Sequence, residues 1–343
     1  MRNWKVGVVL VGVLTLCFIV GGVMTSPVAA AEKVRIGVPL TYGPMNQPWQ
    51  RWVSMVLTRL EELGAQPVTL RGVPTGDSER AIARRLMQMN VKAVGLGLYT
   101  SRSESIGIVK EAHEKGIKVV GMSGTHAVDS PSVLDDPWTI SLTLCQKMLE
   151  YTGAEGGVLH TAESRGFYPP FDMMGDLLKT FMTFQPRMKL YPFIDGGVST
   201  QEEISLTRNN FAAVFKAHPE KGAFKAIIGW WWPNTMGAIQ AMREQGRDKE
   251  GIGVFNTYIS KTLLTEMARP DTPLVGCADL DCVKLGSMIG DFLYGVATDP
   301  KFPQTAIAWA PVEWVPKEKA KEKLEWLTKD DERTQKKLRQ YGG

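Results

Sequence analysis

Short apolar runs rich in β-branched residues alternate with amphipathic segments along most of this chain. The first run, residues 34–40, gives way to turn residues and then to apolar side chains at helical spacing from Trp49 to Leu63. The pattern predicts strands at 34–40, 67–70, 91–98, 117–121, 157–160, 188–194, 224–229, 251–255, 274–276 and 309–314. It predicts helices at 49–63, 77–90, 103–115, 139–151, 171–184, 200–217, 235–245, 258–268, 282–294 and 317–339. This alternation indicates an α/β fold of doubly wound parallel sheets, covered by helices on both faces.

The first residues have the pattern of a secretory leader. Arg2 and Lys5 precede an uncharged apolar run over residues 6–23, and small residues follow at 28–31. We therefore predict a cleavable signal peptide over residues 1–31, cut after Ala30 or Ala31, and export of the remainder to the periplasm. The alternative is an uncleaved membrane anchor, because an apolar run of about 18 residues just spans a bilayer.

The mature chain is too long for one compact core, so two lobes are expected. The formal charge of +4 falls to +2 when Arg2 and Lys5 leave, since no acidic residue leaves with them, and this balance gives no support to nucleic acid binding. Three cysteines remain in the mature chain. Either Cys277 and Cys282 form a disulfide across a short turn, with Cys145 free, or all three are buried thiols.

The loop between the first strand and the first helix is a candidate pocket wall. It carries Tyr42, Asn46 and Trp49 at the carboxyl end of a strand, where open α/β sheets bind their ligands. The alternative is an ordinary loop whose aromatic side chains pack on the core. Trp52 falls on the apolar stripe of the helix, so we assign it to the core.

Nine local motifs, in this order and spacing, resemble the periplasmic sugar-binding proteins of the ribose-binding type, which are the solute receptors of ABC importers. The motifs are VRIGVPL at 34–40, NQPW at 46–49, LEELG at 60–64, NVKAVGL at 90–96, VKEAHEKGIKVV at 109–120, AHP at 217–219, AII at 226–228, MGAI at 236–239 and GIGVFN at 251–256. No single motif is specific, but the likeness extends from the start of the mature chain to about Thr298.

The resemblance implies the type I periplasmic binding protein fold, with two lobes joined by a three-crossing hinge that closes around a ligand. The N-terminal lobe is then expected to take residues 32–127 plus 279–298. The C-terminal lobe is expected to take residues 128–278 plus 299–343, including a charged, solvated terminal helix. The implied protein is a monomer without a cofactor, and its implied partners are a small sugar-like molecule and a membrane permease or sensor protein.

The resemblance also implies ligand-binding positions, several of which depart from the family pattern. Ser123 and Gly124 stand where the family has an Asp-Arg pair, the tryptophans at 230–232 replace an Asn-Asp pair, and Asn256 replaces an Asp. The carboxylate near the third crossing is Asp279 or Asp281, and either Asp172 or Arg165 aligns with a family arginine. The residues expected to bind the ligand are Tyr42, Asn46, Trp49, Ser123, His126, Asp172, Trp231, Trp232, Asn256, Asp279 and Asp281.

Indole rings suit the C–H face of a sugar or a flat or cationic group, and the amide and carboxyl groups suit its polar edge. Because neighbouring side chains of a strand point to opposite faces, at least one tryptophan of 230–232 is expected in the core, with Trp231 or Trp232 in the pocket.

Catalytic and metal signals are weak. The serine motif at 121–125 lacks its last glycine, the glycines at 95–97 lack the third of a dinucleotide fingerprint, and the four histidines lack zinc spacing. We therefore expect a binding protein that delivers a sugar or sugar derivative to an ABC importer, and not an enzyme. The alternatives are a ligand sensor of the same fold that acts on a membrane kinase or chemoreceptor, and, more remotely, a secreted hydrolase that uses Ser123, His126 and an aspartate.

Overall fold

The computed structural model describes residues 32–43, 46–198 and 202–342. The expected signal peptide lies outside these residues. In the described part of the chain, no helix is both long enough and apolar enough to cross a bilayer. Both lobes belong to a single unit that begins at Val34.

The first sheet is entirely parallel, with the strand order β2-β1-β3-β4-β5-β12. Its strands are β1 (Arg35–Leu40), β2 (Gln66–Arg71), β3 (Ala93–Gly97), β4 (Lys118–Ser123), β5 (Ser132–Leu134) and β12 (Ile307–Trp309). Its helices are α1 (Gln47–Glu62), α2 (Gly76–Met87), α3 (Arg102–Glu114) and α9 (Cys282–Thr298). Helices α1 and α9 pack on one another over one face, and α2 and α3 cover the other, as expected for a doubly wound sheet.

The second sheet has the order β7-β6-β9-β10-β11-β13, with β8 also paired to β6, and only β13 runs antiparallel. Its strands are β6 (Gly156–Ala162), β7 (Met188–Leu190), β8 (Ile194–Asp195), β9 (Phe224–Gly229), β10 (Gly253–Thr257), β11 (Leu274–Leu280) and β13 (Val312–Pro316). Its helices are α4 (Pro137–Thr152), α5 (Pro169–Met182), α6 (Glu203–Ala217), α7 (Trp232–Glu244) and α8 (Lys261–Met267). The two sheets confirm the predicted α/β fold with two parallel-sheet lobes.

The chain passes between the sheets three times, after β5, after β11 and after β12. The crossings are hydrogen-bonded to one another: Ala310 N donates to Leu134 O, and Asp281 N donates to Pro311 O, both at 2.9 Å. Three adjacent single-chain connections allow one lobe to rotate against the other with small changes in backbone angles.

Two predicted strands are each divided by a proline. Pro311 separates β12 from β13 within the segment predicted as one strand at 309–314, and Pro192 separates β7 from β8 within 188–194. Proline has no N–H to donate, so it interrupts a ladder of hydrogen bonds. Both β12 and β5 pair with the first sheet, although both lie in segments that the sequence analysis gave to the second lobe.

The terminal helix α10 (Ala320–Gln340) packs against α1 of the first lobe and α8 of the second. It is not solvated on all sides, because Leu327 and Leu338 are buried. Its charged outer face matches the sequence expectation, but its contacts extend to both lobes.

Helix α9 approaches α1 closely at Gly286. A Cβ atom added there would lie 2.2 Å from the backbone oxygen of Trp52, so the helices would have to move apart. We expect Gly286→Ala to lower the free energy of unfolding by about 1–3 kcal/mol, measured by urea titration.

The matched control is Gly107→Ala on α3, where an added Cβ meets no atom within 4 Å. This change should raise stability by about 0.5–1 kcal/mol, since alanine favours a helix over glycine. Equal urea midpoints for Gly286→Ala and the wild type would contradict the close packing of α1 on α9.

Candidate functional site

The carboxyl ends of the parallel strands in the two sheets face each other across the hinge, and aromatic side chains fill the space between them. The ring of Trp49, in the first turn of α1, lies 5.5 Å from Tyr168, 5.2 Å from Trp231 and 5.1 Å from Tyr258 between centroids. These three partners belong to the second lobe, and all four rings are buried. We call Trp49, Tyr168, Trp231 and Tyr258 the interlobe cluster. Trp49 thus lies between the two lobes, and its contact with a ligand stays a prediction.

A buried carboxyl group joins the two lobes beside this cluster. Asp135, at the first crossing, accepts hydrogen bonds from the Ser123 hydroxyl at 2.8 Å, the Tyr168 phenol at 2.6 Å and the Tyr258 phenol at 2.9 Å. Burial raises the pKa of Asp135, and the three donors oppose that rise. The sequence analysis identified Ser123 but missed the other three residues. Both tyrosines follow a strand, Tyr258 after β10 and Tyr168 after β6, and this position was the signal that could have identified them.

Asn256 and Asp279, both expected to bind ligand, have protein partners. The Asn256 amide oxygen accepts from the Thr235 hydroxyl, and its nitrogen donates to Tyr258 O at 3.2 Å. Asp279 accepts from Ile259 N at 2.9 Å, and burial raises its pKa to about 6 despite the attraction of Arg51. The buried Arg51 guanidinium in turn donates to Ile259 O at 3.0 Å, which ties α1 to the second lobe.

Three more of the expected residues are Asn46 and Tyr42 in the first lobe and Trp232 in the second. Asn46 donates to the Tyr99 phenol at 3.0 Å, while its amide oxygen is buried without a hydrogen-bond partner. The Trp232 indole nitrogen is also buried without a partner, while the Tyr42 ring has the Arg71 guanidinium 5.6 Å from its centroid. Trp232 begins α7, with its ring 6.2 Å from Trp231.

Three further expected residues are not in the interlobe cluster. Asp281 is exposed and caps α9 by accepting from Lys284 N at 2.8 Å. Asp172, half-buried at the start of α5, accepts from Gly166 N at 2.8 Å and pairs with Arg165 at 3.4 Å. His126 is half-buried after β4, where burial first and Arg102 second lower its pKa. Ligand binding by all eleven expected residues stays a prediction.

Two buried glutamates lie next to the interlobe cluster, and sequence reasoning missed both. Glu163 follows β6 and is 6% exposed, while Glu203 begins α6 and is 1% exposed. Burial raises the pKa of Glu163 well above its usual value, and the nearby Glu203 adds to that rise. Burial also raises the pKa of Glu203, opposed by the Trp231 indole and by Glu163. Neither Glu203 oxygen has a partner at normal hydrogen-bond geometry. Burial therefore favours the protonated form of both carboxyl groups more than it would in a solvated glutamate.

Among the described residues there is no cluster of His, Cys, Asp and Glu side chains suited to a metal ion. Cys145, Cys277 and Cys282 are free, buried thiols. The Ser123 hydroxyl donates to Asp135, and among the described hydrogen bonds none joins it to His126. The hydrolase arrangement of Ser123 with His126 is therefore not assembled.

The fold is that of the type I periplasmic binding proteins. An ABC transporter solute-binding protein from Agrobacterium vitis, solved with bound allitol, is 21% identical over 84% of this chain and 97% of its own, with a TM-score of 0.71. The arabinose-binding component of a Shewanella sp. ANA-3 ABC transporter, solved with L-arabinofuranose, is 14% identical over 88% of this chain and 98% of its own, with a TM-score of 0.76. A 5-methylthioribose transporter solute-binding protein from Thermotoga lettingae is 17% identical over 84% and 87%, with a TM-score of 0.73. No protein-family model and no curated protein matches the chain.

The glutamate pair predicts a pH dependence of stability. In the unfolded chain Glu203 ionises with a pKa of about 4.3, but in the folded protein its pKa is raised. Its contribution to stability is therefore greatest below pH 4 and is lost as the pH rises through the folded pKa. Glu203→Gln removes this titration. We therefore expect the free energy of unfolding of Glu203→Gln, relative to that of the wild type, to increase by about 1–3 kcal/mol between pH 5 and pH 8.

The measurement is the unfolding free energy of protein refolded from denaturant, so that no solute remains bound. Glu202→Gln is the matched control, because Glu202 is the exposed neighbour of Glu203 at the start of the same helix. Its stability difference from the wild type should stay constant with pH. A constant difference for Glu203→Gln as well would contradict the raised pKa.

Proposed function

We propose that this chain is a periplasmic solute-binding protein that captures a sugar or sugar derivative between its lobes and delivers it to an ABC importer. The observation that carries the proposal is the set of buried polar atoms without partners beside the interlobe cluster. These atoms are the Asn46 amide oxygen and the Trp232 indole nitrogen, together with the Glu203 carboxyl oxygens and the Trp231 indole nitrogen, which make no hydrogen bond of normal geometry. Buried polar groups are normally hydrogen-bonded, so such a concentration fits a site whose partner is a solute.

The architecture supports capture by hinge closure. The aromatic rings of Trp49 and Trp231 come from opposite lobes, so an open hinge exposes both and a closed hinge brings them together. An aromatic face stacks on the C–H side of a sugar ring, and the unpartnered polar atoms bind its hydroxyl groups. Closure excludes water, which strengthens each of these hydrogen bonds. The solved neighbours with allitol and L-arabinofuranose support a solute of this size.

The expected leader over residues 1–31 supports a periplasmic location, and the fold supports an importer permease as the membrane partner. The Ser123 hydroxyl shares Asp135 with two phenols, and no described hydrogen bond joins it to a histidine, which favours binding over a serine–histidine hydrolase. We propose that the protein acts as a monomer and without a cofactor.

The test begins with the natural solute. Residues 32–343 are purified from the native periplasm, and mass spectrometry of the denatured protein identifies what it carried. The same solute is then added back to refolded protein, where it should raise the melting temperature, since a ligand of the native state must stabilise it. The absence of any co-purifying solute, together with no stabilisation by sugars, polyols or amino sugars, would contradict the proposal.

Trp49 should carry much of the affinity. We expect Trp49→Ala to weaken binding of the identified solute by more than about tenfold in calorimetry, since its ring contributes about 1–3 kcal/mol by stacking. Trp138→Ala is the control, because Trp138 is an exposed tryptophan of α4. Its affinity should equal that of the wild type, and an unchanged affinity for Trp49→Ala would remove Trp49 from the site.

A further inference from the structure

The buried carboxyl groups near the hinge differ in the protein groups that donate hydrogen bonds to them or carry an opposite charge. Glu79 accepts four hydrogen bonds, from the backbone N–H groups of Tyr99 and Thr100 and from the hydroxyls of Thr41 and Thr100. Asp135 accepts three hydroxyl groups, and Asp279 has Arg51 and a backbone N–H. Each of these groups is thus satisfied by the protein itself.

Glu163 and Glu203 have no such partners. The protein group that acts most on each carboxyl is the other carboxyl or, for Glu203, the Trp231 indole. Among the described residues, no lysine, arginine or histidine contributes an attraction to either. Two adjacent buried carboxyl groups without a cation are costly, because burial opposes charge on each and like charges oppose both.

Aromatic rings from both lobes border this pair. Trp231, beside Glu203, has the Trp49 ring 5.2 Å away. On the first-lobe side, Tyr99 interacts electrostatically with Glu163 and Glu203 and packs 5.3 Å from the Phe167 ring. Aromatic faces and carboxylates together are the surroundings that attract an organic cation.

We propose that the solute carries a positively charged nitrogen, held between the carboxyl groups of Glu163 and Glu203 and the rings of Trp231 and Tyr99. This inference rests on the proposed function and narrows its solute to an ammonium compound, such as an amino sugar or an amino polyol. A neutral polyol would supply hydroxyl donors but would leave the repulsion between the two acids in place. A cation relieves that repulsion and satisfies the Glu203 oxygens, which make no hydrogen bond of normal geometry within the protein.

The pair also sets a pH dependence for binding. The cation binds best when both carboxyls are ionised, and both pKa values are raised in the protein, so cation binding is coupled to proton release. Affinity should therefore rise with pH, by up to about tenfold per pH unit for one proton released, until the pair is fully ionised. Tyr99, with Glu79 behind it, is the titratable group that faces the pair from the first lobe. Asp195 on β8 and the Arg208–Glu244 ion pair of α6 and α7 lie at the surface.

The test compares matched probes by calorimetry on refolded residues 32–343. The pairs are galactosamine with galactose, glucamine with glucitol, and choline with 3,3-dimethylbutan-1-ol, which replaces the charged nitrogen by carbon. We expect the charged member of at least one pair to bind more than about tenfold tighter than its neutral partner. For glucamine or choline, which stay charged, affinity should rise from pH 6 to pH 8.

Variants test whether Glu163 and Glu203 cause the preference for the charged probe. Glu203→Gln and Glu163→Gln should each reduce the charged-to-neutral affinity ratio by about tenfold or more and flatten its pH dependence. Glu202→Gln, with its exposed side chain, should leave both unchanged. Circular dichroism and melting curves show that each variant is folded before binding is measured.

The outcomes separate this inference from the proposed function. If the neutral member of each pair binds more tightly, or if the co-purified solute is neutral, the inference of a cationic solute is wrong, but the proposed solute-binding function stands. No binding by any probe, together with no co-purified solute, overturns both. A charged preference that survives Glu163→Gln and Glu203→Gln overturns the assignment to this pair.

Discussion

Asp135 is the group on which the closed arrangement of the lobes depends. It is buried at the first crossing, and its donors come from both sides: Ser123 from the first sheet, Tyr168 and Tyr258 from the second. A buried carboxyl needs such donors, because water does not reach it. In the described arrangement these three donors satisfy Asp135 from both lobes, so this carboxyl group holds the first crossing and both lobes together.

The rings around Asp135 add a second contribution of the same kind. Trp49 contacts three rings of the second lobe, so closure buries apolar surface of both lobes at once. Glu163 and Glu203 act in the opposite direction, because closure removes an acid pair from water without supplying a cation from the described protein groups. Aromatic packing favours closure and the acid pair opposes it. In the proposed function, a cationic solute that neutralises the pair removes the opposing contribution and so couples its own recognition to hinge closure.

Periodicity predicted almost every helix and strand, because each covers enough residues for its apolar side to repeat. It failed for β5 and β12, which are only three residues long and are recognisable through their register with each other. The position of Trp49 was predictable, since it follows from the rule that ligands lie beyond carboxyl strand ends. Glu203 was not, because a glutamate at a helix start is usually exposed. Its burial depends on Trp231 and Glu163, which reach it only through the folded arrangement of three strands and their loops.

Helix α10 limits how the hinge can open, since it contacts both lobes. Its first-lobe contacts include the Ser54–Thr334 hydroxyl pair at 3.3 Å and the ion pair of Lys337 with Glu61 at 2.6 Å. Its contact with α8 includes the ion pair of Lys261 with Asp331 at 3.1 Å, in which the Lys261 side chain is 37% exposed. Partly exposed ion pairs contribute little on either side, and α10 packs on α1 and on α8 to a similar extent. A rotation of one lobe against the other therefore has to separate α10 from one of these two helices.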